Sequence, residues 1–372
     1  MLITPKTPAP NWFKSFFSPS LLAAPAYFID EPQVDLRLDR NESPYDWPNE
    51  MKTLILEKVR HHEWNRYSEP YDLELEGLIA TYNHVPAECI LAGPGSNFLL
   101  TVCIELLGHT LRGKFVVAQP SFPLYESHCQ YLGIAYTPWK LNADFQYDIS
   151  DLDDLPAGSV VLFASPNNPT GNILPKSDLR TLLQKNPDSY FISDEAYHEF
   201  TTESTTDLLA EFQNLIILRT FSKALSSAGL RLGYIMASPV FLHECKKIMT
   251  PYLIAPLTRE AVKTALSNPV LFSFLQNSRL TVLKERDRMY KFFGEELASM
   301  LEVWPSHANF LLIRWKKDHA EAKRYYDALI ERGILVRNVT RGPGLSGCLR
   351  ITLGSPEDNT RVQQAFREIA KG

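Results

Sequence analysis

Five continuous apolar runs in the middle of the chain constrain its fold more than any other feature. Each is short, and stretches with helical spacing, such as Lys176–Lys185, lie between them. Strands that are apolar on both faces belong in a sheet covered by helices on both sides. The pattern therefore predicts an α/β fold with a mostly parallel sheet, whose ligands bind at the strands' carboxyl ends. The runs are KFVVAQ (114–119), SVVLFAS (159–165), YFISDEAY (190–197), NLIILRT (214–220) and LRLGYIMA (230–237).

The pattern changes after Pro256, where longer helical stretches alternate with only a few strand-like runs. One helical stretch covers about Asn277–Met300, and the runs ANFLLIRW, GILVRN and CLRITLG follow it. This mixture predicts a second, smaller α+β domain. We expect a large domain at residues 46–255, with an N-terminal arm (1–45) and a small C-terminal domain (256–372) beside it.

Composition excludes several classes of protein. The 372 residues are 45% apolar and 22% charged, and the net charge is −5, as in globular proteins without a nucleic-acid face. No run approaches the roughly 18 apolar residues of a membrane helix, and we expect a cytoplasmic protein. The five cysteines lack CxxC spacing and the histidines show no ligand spacing, so we expect neither disulfides nor a metal.

A single lysine follows the fourth apolar run. Lys223 lies among small and hydroxyl residues, where a lysine can lose its proton and attack a carbonyl carbon. Thr220, Ser222 and Arg231 can together hold a phosphate. A reactive lysine beside a phosphate site indicates pyridoxal phosphate. An isolated Ser-Lys pair is more often a surface feature, so the hypothesis depends on finding the cofactor's other requirements in the chain.

Residues at two other strand ends meet those requirements. A protonated pyridine nitrogen needs a buried carboxylate, and Asp194 ends an apolar run. Tyr197 and Asn168 can donate hydrogen bonds to the cofactor's phenolic oxygen. Each also has an ordinary interpretation: Asp194 as a helix cap, Tyr197 as a core residue, and Asn168 as part of the turn SPNNPTG.

Three further features complete the candidate site. Ser96 and Asn97 open a helix after a strand, so their backbone N–H groups can bind phosphate. Phe122 can stack on the pyridine ring or be a core residue. Arg350 lies inside an apolar strand and needs an anionic partner, which is a substrate carboxylate or a structural ion pair.

The sequence resembles the fold-type I aminotransferases that use pyridoxal phosphate and, among them, the histidinol-phosphate aminotransferases. The resemblance extends from about Leu38 to the C-terminus. Its order and spacing identify the superfamily more specifically than the substrate. The motifs that carry it are RNESPY, NRYS, GPGSN, PSFPLY, PNNPTG, DEAY, RTFSK followed by RLGY, ANFLLIR, GILVR and LSGCLRITLG.

The resemblance implies a role for each matching residue. Lys223 would bind the cofactor covalently, Asp194 would pair with its ring nitrogen, and Tyr67 would reach the cofactor of a second subunit in a homodimer with shared active sites. The other implied cofactor ligands are Ser96, Asn97, Phe122, Asn168, Tyr197, Thr220, Ser222 and Arg231. The implied substrate residues are Arg350 for the α-carboxylate, Arg337 for a distal phosphate, and Asn41.

These features predict transamination between histidinol phosphate and 2-oxoglutarate, in histidine biosynthesis. Lys223 would act as general acid–base, moving the proton on the substrate's α-carbon. Two alternatives share all but the substrate residues. One is an aminotransferase for aromatic or other amino acids, and the other is a decarboxylase of a phosphorylated amino acid such as threonine phosphate.

Overall fold

A computed structural model describes residue 12, residues 15–23 and residues 32–371, so part of the predicted N-terminal arm lies outside the described residues. The helices are Pro19–Ala23, Asn49–Arg60, Leu73–Asn83, Ser96–Thr110, Leu124–Leu132, Lys176–Lys185, Pro239–Ile248, Pro256–Ser267, Pro269–Lys291, Glu321–Glu331 and Pro356–Lys371. The strands are β1 (Leu36–Leu38), β2 (Ile90–Gly93), β3 (Phe115–Gln119), β4 (Tyr136–Lys140), β5 (Val160–Ala164), β6 (Tyr190–Asp194), β7 (Leu215–Thr220), β8 (Gly233–Met236), β9 (Leu301–Val303), β10 (Phe310–Trp315), β11 (Ile334–Asn338) and β12 (Cys348–Thr352).

The predicted apolar runs form the larger of two sheets in the described residues. Its strand order is β2-β8-β7-β6-β5-β3-β4. The five neighbours from β7 to β4 are parallel, whereas β8 runs antiparallel to both β7 and β2. The predicted mixed α/β fold with a mostly parallel sheet is therefore confirmed, with one reversed strand inside it.

Alternate residues of each central strand pack into two different cores. In β7, Ile216 and Leu218 join the core under the helix Ser96–Thr110. Leu215 and Ile217 join the larger core on the opposite face. Because successive side chains of a strand point to opposite faces, a sheet buried on both sides requires apolar residues at every position. This requirement explains the unbroken apolar runs in the sequence.

Several strand ends of the large sheet meet at one edge. Strands β5, β6 and β7 end there in register, with Ala164 opposite Asp194 and Asp194 opposite Leu218. The reversed strand β8 begins at this edge, where Gly233 lies opposite both Thr220 and Gly93. Polar loops that are far apart in sequence therefore converge on one place.

The smaller sheet is built from the two ends of the chain. Its order is β1-β11-β12-β10-β9, with β1 parallel to β11 and the remaining pairs antiparallel. Arg337 of β11 lies directly opposite Arg350 of β12. Two predicted substrate residues are thus cross-strand neighbours.

The predicted helix over Asn277–Met300 has the wrong bounds. The helix spans Pro269–Lys291. Asn268 caps its start, because the Asn268 side chain accepts hydrogen bonds from the backbone of the first turn. A π-helical turn, Phe292–Glu296, follows the helix and buries two phenylalanines. The charged face predicted a helix, but the cap and the buried turn set its ends. No helix among the described residues, this one of 23 residues included, is both long enough and apolar enough to cross a membrane.

Candidate active site

A cavity of about 1220 Å³ lies at the converging edge of the large sheet and extends to the smaller sheet. Tyr67 is the one predicted site residue that does not line it. Tyr67 is 84% exposed, and its ring stacks on Tyr252 with 4.8 Å between centroids. The predicted residues that line the cavity are Asn41, Ser96, Asn97, Phe122, Asn168, Asp194, Tyr197, Thr220, Ser222, Lys223, Arg231, Arg337 and Arg350.

Lys223 follows β7 by three residues, and its amine points into the cavity. Its Nζ donates a hydrogen bond to the backbone carbonyl of Arg40, 2.9 Å away. Burial, with a smaller contribution from the positive charge of Arg350, lowers the pKa of Lys223 to about 8. A substantial fraction of the amine is therefore neutral near pH 8, as nucleophilic attack and proton abstraction both require.

Asp194 places a carboxylate at the end of β6, where it is only 8% exposed. Its Oδ2 accepts a hydrogen bond from the hydroxyl of Tyr125 at 2.6 Å, and its Oδ1 accepts one from the backbone of Ala196 at 3.1 Å. Burial raises the pKa of Asp194, partly offset by these hydrogen bonds. A cationic N–H group in the cavity would favour the ionised carboxylate.

Tyr197 and Asn168 are fixed by residues of the smaller sheet and its N-terminal connection. Asn41, in the left-handed conformation with φ of 56°, donates from Nδ2 to the Tyr197 hydroxyl at 2.8 Å. Thr352 holds Asn41 through hydrogen bonds to its backbone N–H and its side-chain oxygen, both at 3.0 Å. Arg350 donates to Oδ1 of Asn168 and to the carbonyl of Asp39. These bonds join the two sheets across the cavity.

A concave polar group forms another part of the cavity. It consists of the start of the helix Ser96–Thr110 together with Thr220, Ser222 and Arg231. The helix Ser96–Thr110 has no side-chain cap, so its first N–H groups are available. Arg231, with φ of 53°, donates from Nη1 to Ser222 Oγ at 3.4 Å. A Cβ on Gly95 would lie 2.7 Å from Arg231 Nη2, and one on Gly233 would lie 2.4 Å from the Ser96 nitrogen. Only glycine at these two positions lets Arg231 and the helix start pack this closely against the backbone.

Two cavity residues were missed at the sequence level. Tyr125 lies in the quoted motif PSFPLY, three residues after Phe122, but only the fold shows that it contacts Asp194. The half-buried Phe122 ring lies edge-on to Tyr125, with 5.8 Å between centroids. Arg341 lines the cavity from the loop after β11, where a surface arginine carries no sequence signal of its own.

The donor set fits pyridoxal phosphate. It combines a buried lysine of lowered pKa, a buried carboxylate for a ring nitrogen, and an uncapped helix start beside Arg231 for a phosphate. The placement of Arg231 and of the helix start requires glycines, since a Cβ on Gly95 or Gly233 would clash with them. These are the requirements from which the sequence analysis started.

Comparison with known proteins identifies the family. A family model described as aminotransferase class I and II matches residues 34–366. The chain therefore belongs to the class I and II aminotransferases, and it is an enzyme whose cofactor is pyridoxal phosphate. The predicted enzyme class and cofactor are confirmed.

Individual relatives carry more specific names. The chain is 34% identical to a histidinol-phosphate aminotransferase of Thermococcus gammatolerans over 93% of this chain and 95% of that protein. The histidinol-phosphate aminotransferase of Sinorhizobium meliloti, solved with pyridoxal-5'-phosphate, has a TM-score of 0.82 at 23% identity, covering 96% and 98% of the two chains, and so shares the fold. An L-threonine-O-3-phosphate decarboxylase of Porphyromonas gingivalis has a TM-score of 0.73 at 26% identity, covering 91% and 100%.

Proposed function

We propose that this enzyme transfers the amino group of histidinol phosphate to 2-oxoglutarate, a step of histidine biosynthesis in the cytoplasm. The observation that carries the proposal is the pair of arginines, Arg337 and Arg350, that face each other across β11 and β12 beside the amine of Lys223. Like charges directly opposite in a sheet are unfavourable. An anionic substrate bound between them would offset that cost.

The residues at the edge of the large sheet would hold the cofactor. Lys223 would bind it covalently, Asp194 would pair with its ring nitrogen, and Tyr197 and Asn168 would contact its phenolic oxygen. Phe122 would pack against its ring. When bound, pyridoxal phosphate withdraws electrons from the substrate's α-carbon and so makes the Cα–H bond acidic.

The concave polar group would hold the cofactor's phosphate. Ser96 and Asn97 would supply backbone N–H groups, Thr220 and Ser222 would supply hydroxyls, and Arg231 would supply the charge. A bound phosphate would also interact favourably with the positive end of the helix Ser96–Thr110.

Lys223 would also move the proton during the reaction. With its pKa lowered to about 8, its neutral amine can take the proton from the substrate's α-carbon and release it again. Arg350 would bind the α-carboxylate of glutamate and 2-oxoglutarate as a bidentate pair. Arg337 would bind the phosphate of histidinol phosphate. Asn41 would orient Tyr197, to which it already donates a hydrogen bond.

We further propose a homodimer, with Tyr67 reaching the cofactor phosphate in the second subunit. In support, Tyr67 is exposed and lies outside the cavity of its own chain. Nearby in sequence, Trp64 is 82% exposed and Leu73 is 77% exposed, and large apolar side chains at such exposure are typical of interfaces.

The same domain division as in the sequence analysis is proposed. Strands β2 to β8 fall within residues 46–255, whereas β1 and β9 to β12 fall in residues 1–45 and 256–372. The N-terminal arm and the C-terminal part would therefore form one small domain around the smaller sheet.

The resemblance to the threonine-phosphate decarboxylase favours one alternative over the other, namely decarboxylation of a phosphorylated amino acid. That enzyme's named substrate combines a carboxylate with a phosphate, which Arg350 and Arg337 would match, whereas histidinol phosphate has a phosphate and no carboxylate. An aromatic amino acid, by contrast, offers no second anion for Arg337.

A panel of amino donors tests the proposal. Histidinol phosphate, phenylalanine and threonine phosphate are each given with 2-oxoglutarate, and both glutamate and carbon dioxide are measured. We expect glutamate formation to have the highest kcat/KM with histidinol phosphate and no carbon dioxide release. Preference for phenylalanine, or release of carbon dioxide from threonine phosphate, would overturn the assignment in favour of the corresponding alternative.

A further inference from the structure

The loop after β11, residues 339–347, brings a further arginine to the wall of the cavity. Arg341 lies four residues after Arg337, and both line the cavity. Over the described part of the chain, neither guanidinium forms an ion pair or a hydrogen bond with a protein group. Two arginines that line one cavity and form no ion pair with the protein are a natural site for a multiply charged ligand.

A buried cluster fixes the loop that carries Arg341. Leu345 is 3% exposed and packs with Phe145 and Trp304. The guanidinium of Arg314 lies over both rings, 5.1 Å from the centroid of Phe145 and 4.9 Å from that of Trp304, and donates to the carbonyl of Gly344 at 2.6 Å. The backbone of the loop is therefore anchored on both aromatic rings and on a strand of the smaller sheet, whereas the side chain of Arg341 is exposed at the mouth of the cavity.

The charge of the ligand determines how much an additional arginine contributes to its binding. A phosphate monoester carries about −1.5 to −2 charges at pH 7, because its second pKa is near 6. A side-chain carboxylate carries one charge. An additional arginine within reach stabilises the phosphate dianion more than it stabilises the singly charged carboxylate. The energetic benefit of Arg341 should therefore depend on the ionisation of the phosphate.

We propose that Arg341 is a specificity-determining residue that favours a phosphate dianion over a carboxylate at the distal end of the substrate. The inference rests on the proposed function, because it takes a phosphorylated amino donor as the substrate. Arg337 and Arg350 supply two positive charges, and Arg341 supplies a further one. Glutamate and 2-oxoglutarate, which the same site must accept in the other half of the reaction, would depend mainly on the first two.

Steady-state kinetics of Arg341→Gln test the proposal, with Lys317→Gln as the matched control. Lys317 is exposed in the same part of the chain and does not line the cavity, so its loss changes only the net charge. We expect kcat/KM for histidinol phosphate to fall about 10-fold in Arg341→Gln, mostly through KM, since hydrogen bonds to charged groups have this magnitude. For glutamate the fall should stay below about 3-fold, and Arg341→Lys should recover part of the loss.

The pH dependence separates a charge effect from a structural one. The ratio of wild-type to Arg341→Gln kcat/KM should be largest above about pH 7 and should shrink below about pH 6, where the phosphate becomes a monoanion. A ratio that is constant with pH, or an equal loss for histidinol phosphate and glutamate, would overturn the proposal. So would an effect no larger than that of Lys317→Gln.

A simple phosphate ester distinguishes this inference from the proposed function. Butyl phosphate is used as a competitive inhibitor of the reaction with glutamate, in the wild type, in Arg341→Gln and in Lys317→Gln. We expect its inhibition constant to rise about 10-fold in Arg341→Gln alone. If histidinol phosphate is not a substrate but this rise is found, the proposed function fails and the phosphate site stands. If histidinol phosphate is a substrate and the rise is absent, the role of Arg341 is overturned.

Discussion

The two ends of the cavity are built in different ways. At the edge of the large sheet, Asp194, Tyr197 and Asn168 are each less than a tenth exposed and are held by hydrogen bonds to other protein groups. At the substrate end, Arg337 and Arg341 line the same cavity, and among the described residues neither guanidinium has an ion-pair partner. The difference indicates that the catalytic and cofactor-binding groups are pre-organised by the protein, whereas the two arginines would gain their anionic partner only when the substrate binds.

The largest expected effect lies at the pre-organised end. Replacing Lys223 by Ala removes the amine that moves the substrate's α-proton, and turnover should fall by at least about 10³-fold, within the range of general acid–base catalysis. The rate of glutamate formation from histidinol phosphate and 2-oxoglutarate measures this turnover. The control Lys114→Ala removes an exposed lysine at the other end of β3 and should retain wild-type turnover. Comparable activity in the two variants would show that Lys223 is not the catalytic base.

A smaller effect is expected at the proposed phosphate site. Gly95 has φ of 88°, and a Cβ there would lie 2.7 Å from Arg231 Nη2. Gly95→Ala should therefore displace Arg231 and weaken cofactor binding by about 10- to 100-fold, since a hydrogen bond to a charged group contributes about 1.5–3 kcal/mol. Titrating the cofactor-free protein by fluorescence measures the affinity.

Gly77→Ala is the matched control for that substitution. Gly77 lies within a helix, and a Cβ there would have no atom within 4 Å. Alanine should keep the cofactor affinity and stabilise the helix by roughly 0.5–1 kcal/mol. Equal cofactor affinities in the two alanine variants would contradict the proposal that Gly95 lets Arg231 reach the phosphate.

The smallest of these effects is the most selective. Arg337→Gln should reduce kcat/KM for histidinol phosphate by about 10-fold, the magnitude of a charge-assisted hydrogen bond, and for an unphosphorylated donor such as phenylalanine by less than about 3-fold. The donor panel measures both. Equal losses would mean that Arg337 has a structural role, and the contrast between the two ends of the cavity would then be weaker.

The pre-organised end was the more predictable from the sequence. The carboxyl ends of apolar strands lie at one edge, so a lysine, an aspartate and an asparagine after three such runs were predicted to converge. Tyr125 was missed because its contact with Asp194 depends on the helix Leu124–Leu132, whose orientation no sequence pattern gives.

The substrate end depends on long-range packing and was harder to predict. Arg350 stood out as an arginine within an apolar strand, and the family resemblance singled out Arg337. The position of the loop that carries Arg341 depends on Arg314, 27 positions earlier. The guanidinium of Arg314 donates to the carbonyl of Gly344 and lies over two aromatic rings. A contact of this kind leaves no periodicity or spacing in the sequence. The proposed role of Tyr67 depends on a second subunit, so neither periodicity nor the fold of a single chain reveals it.

Reduction of the protein with borohydride in the presence of pyridoxal phosphate tests the central claim, that Lys223 at the end of β7 holds the cofactor. The visible absorbance of the loaded protein should disappear, and peptide mapping should place one cofactor-derived mass on the peptide containing Lys223. The Lys114→Ala variant should give the same label, and Lys223→Ala should give none. A label on another lysine of the wild type, or no label at all, would contradict the account.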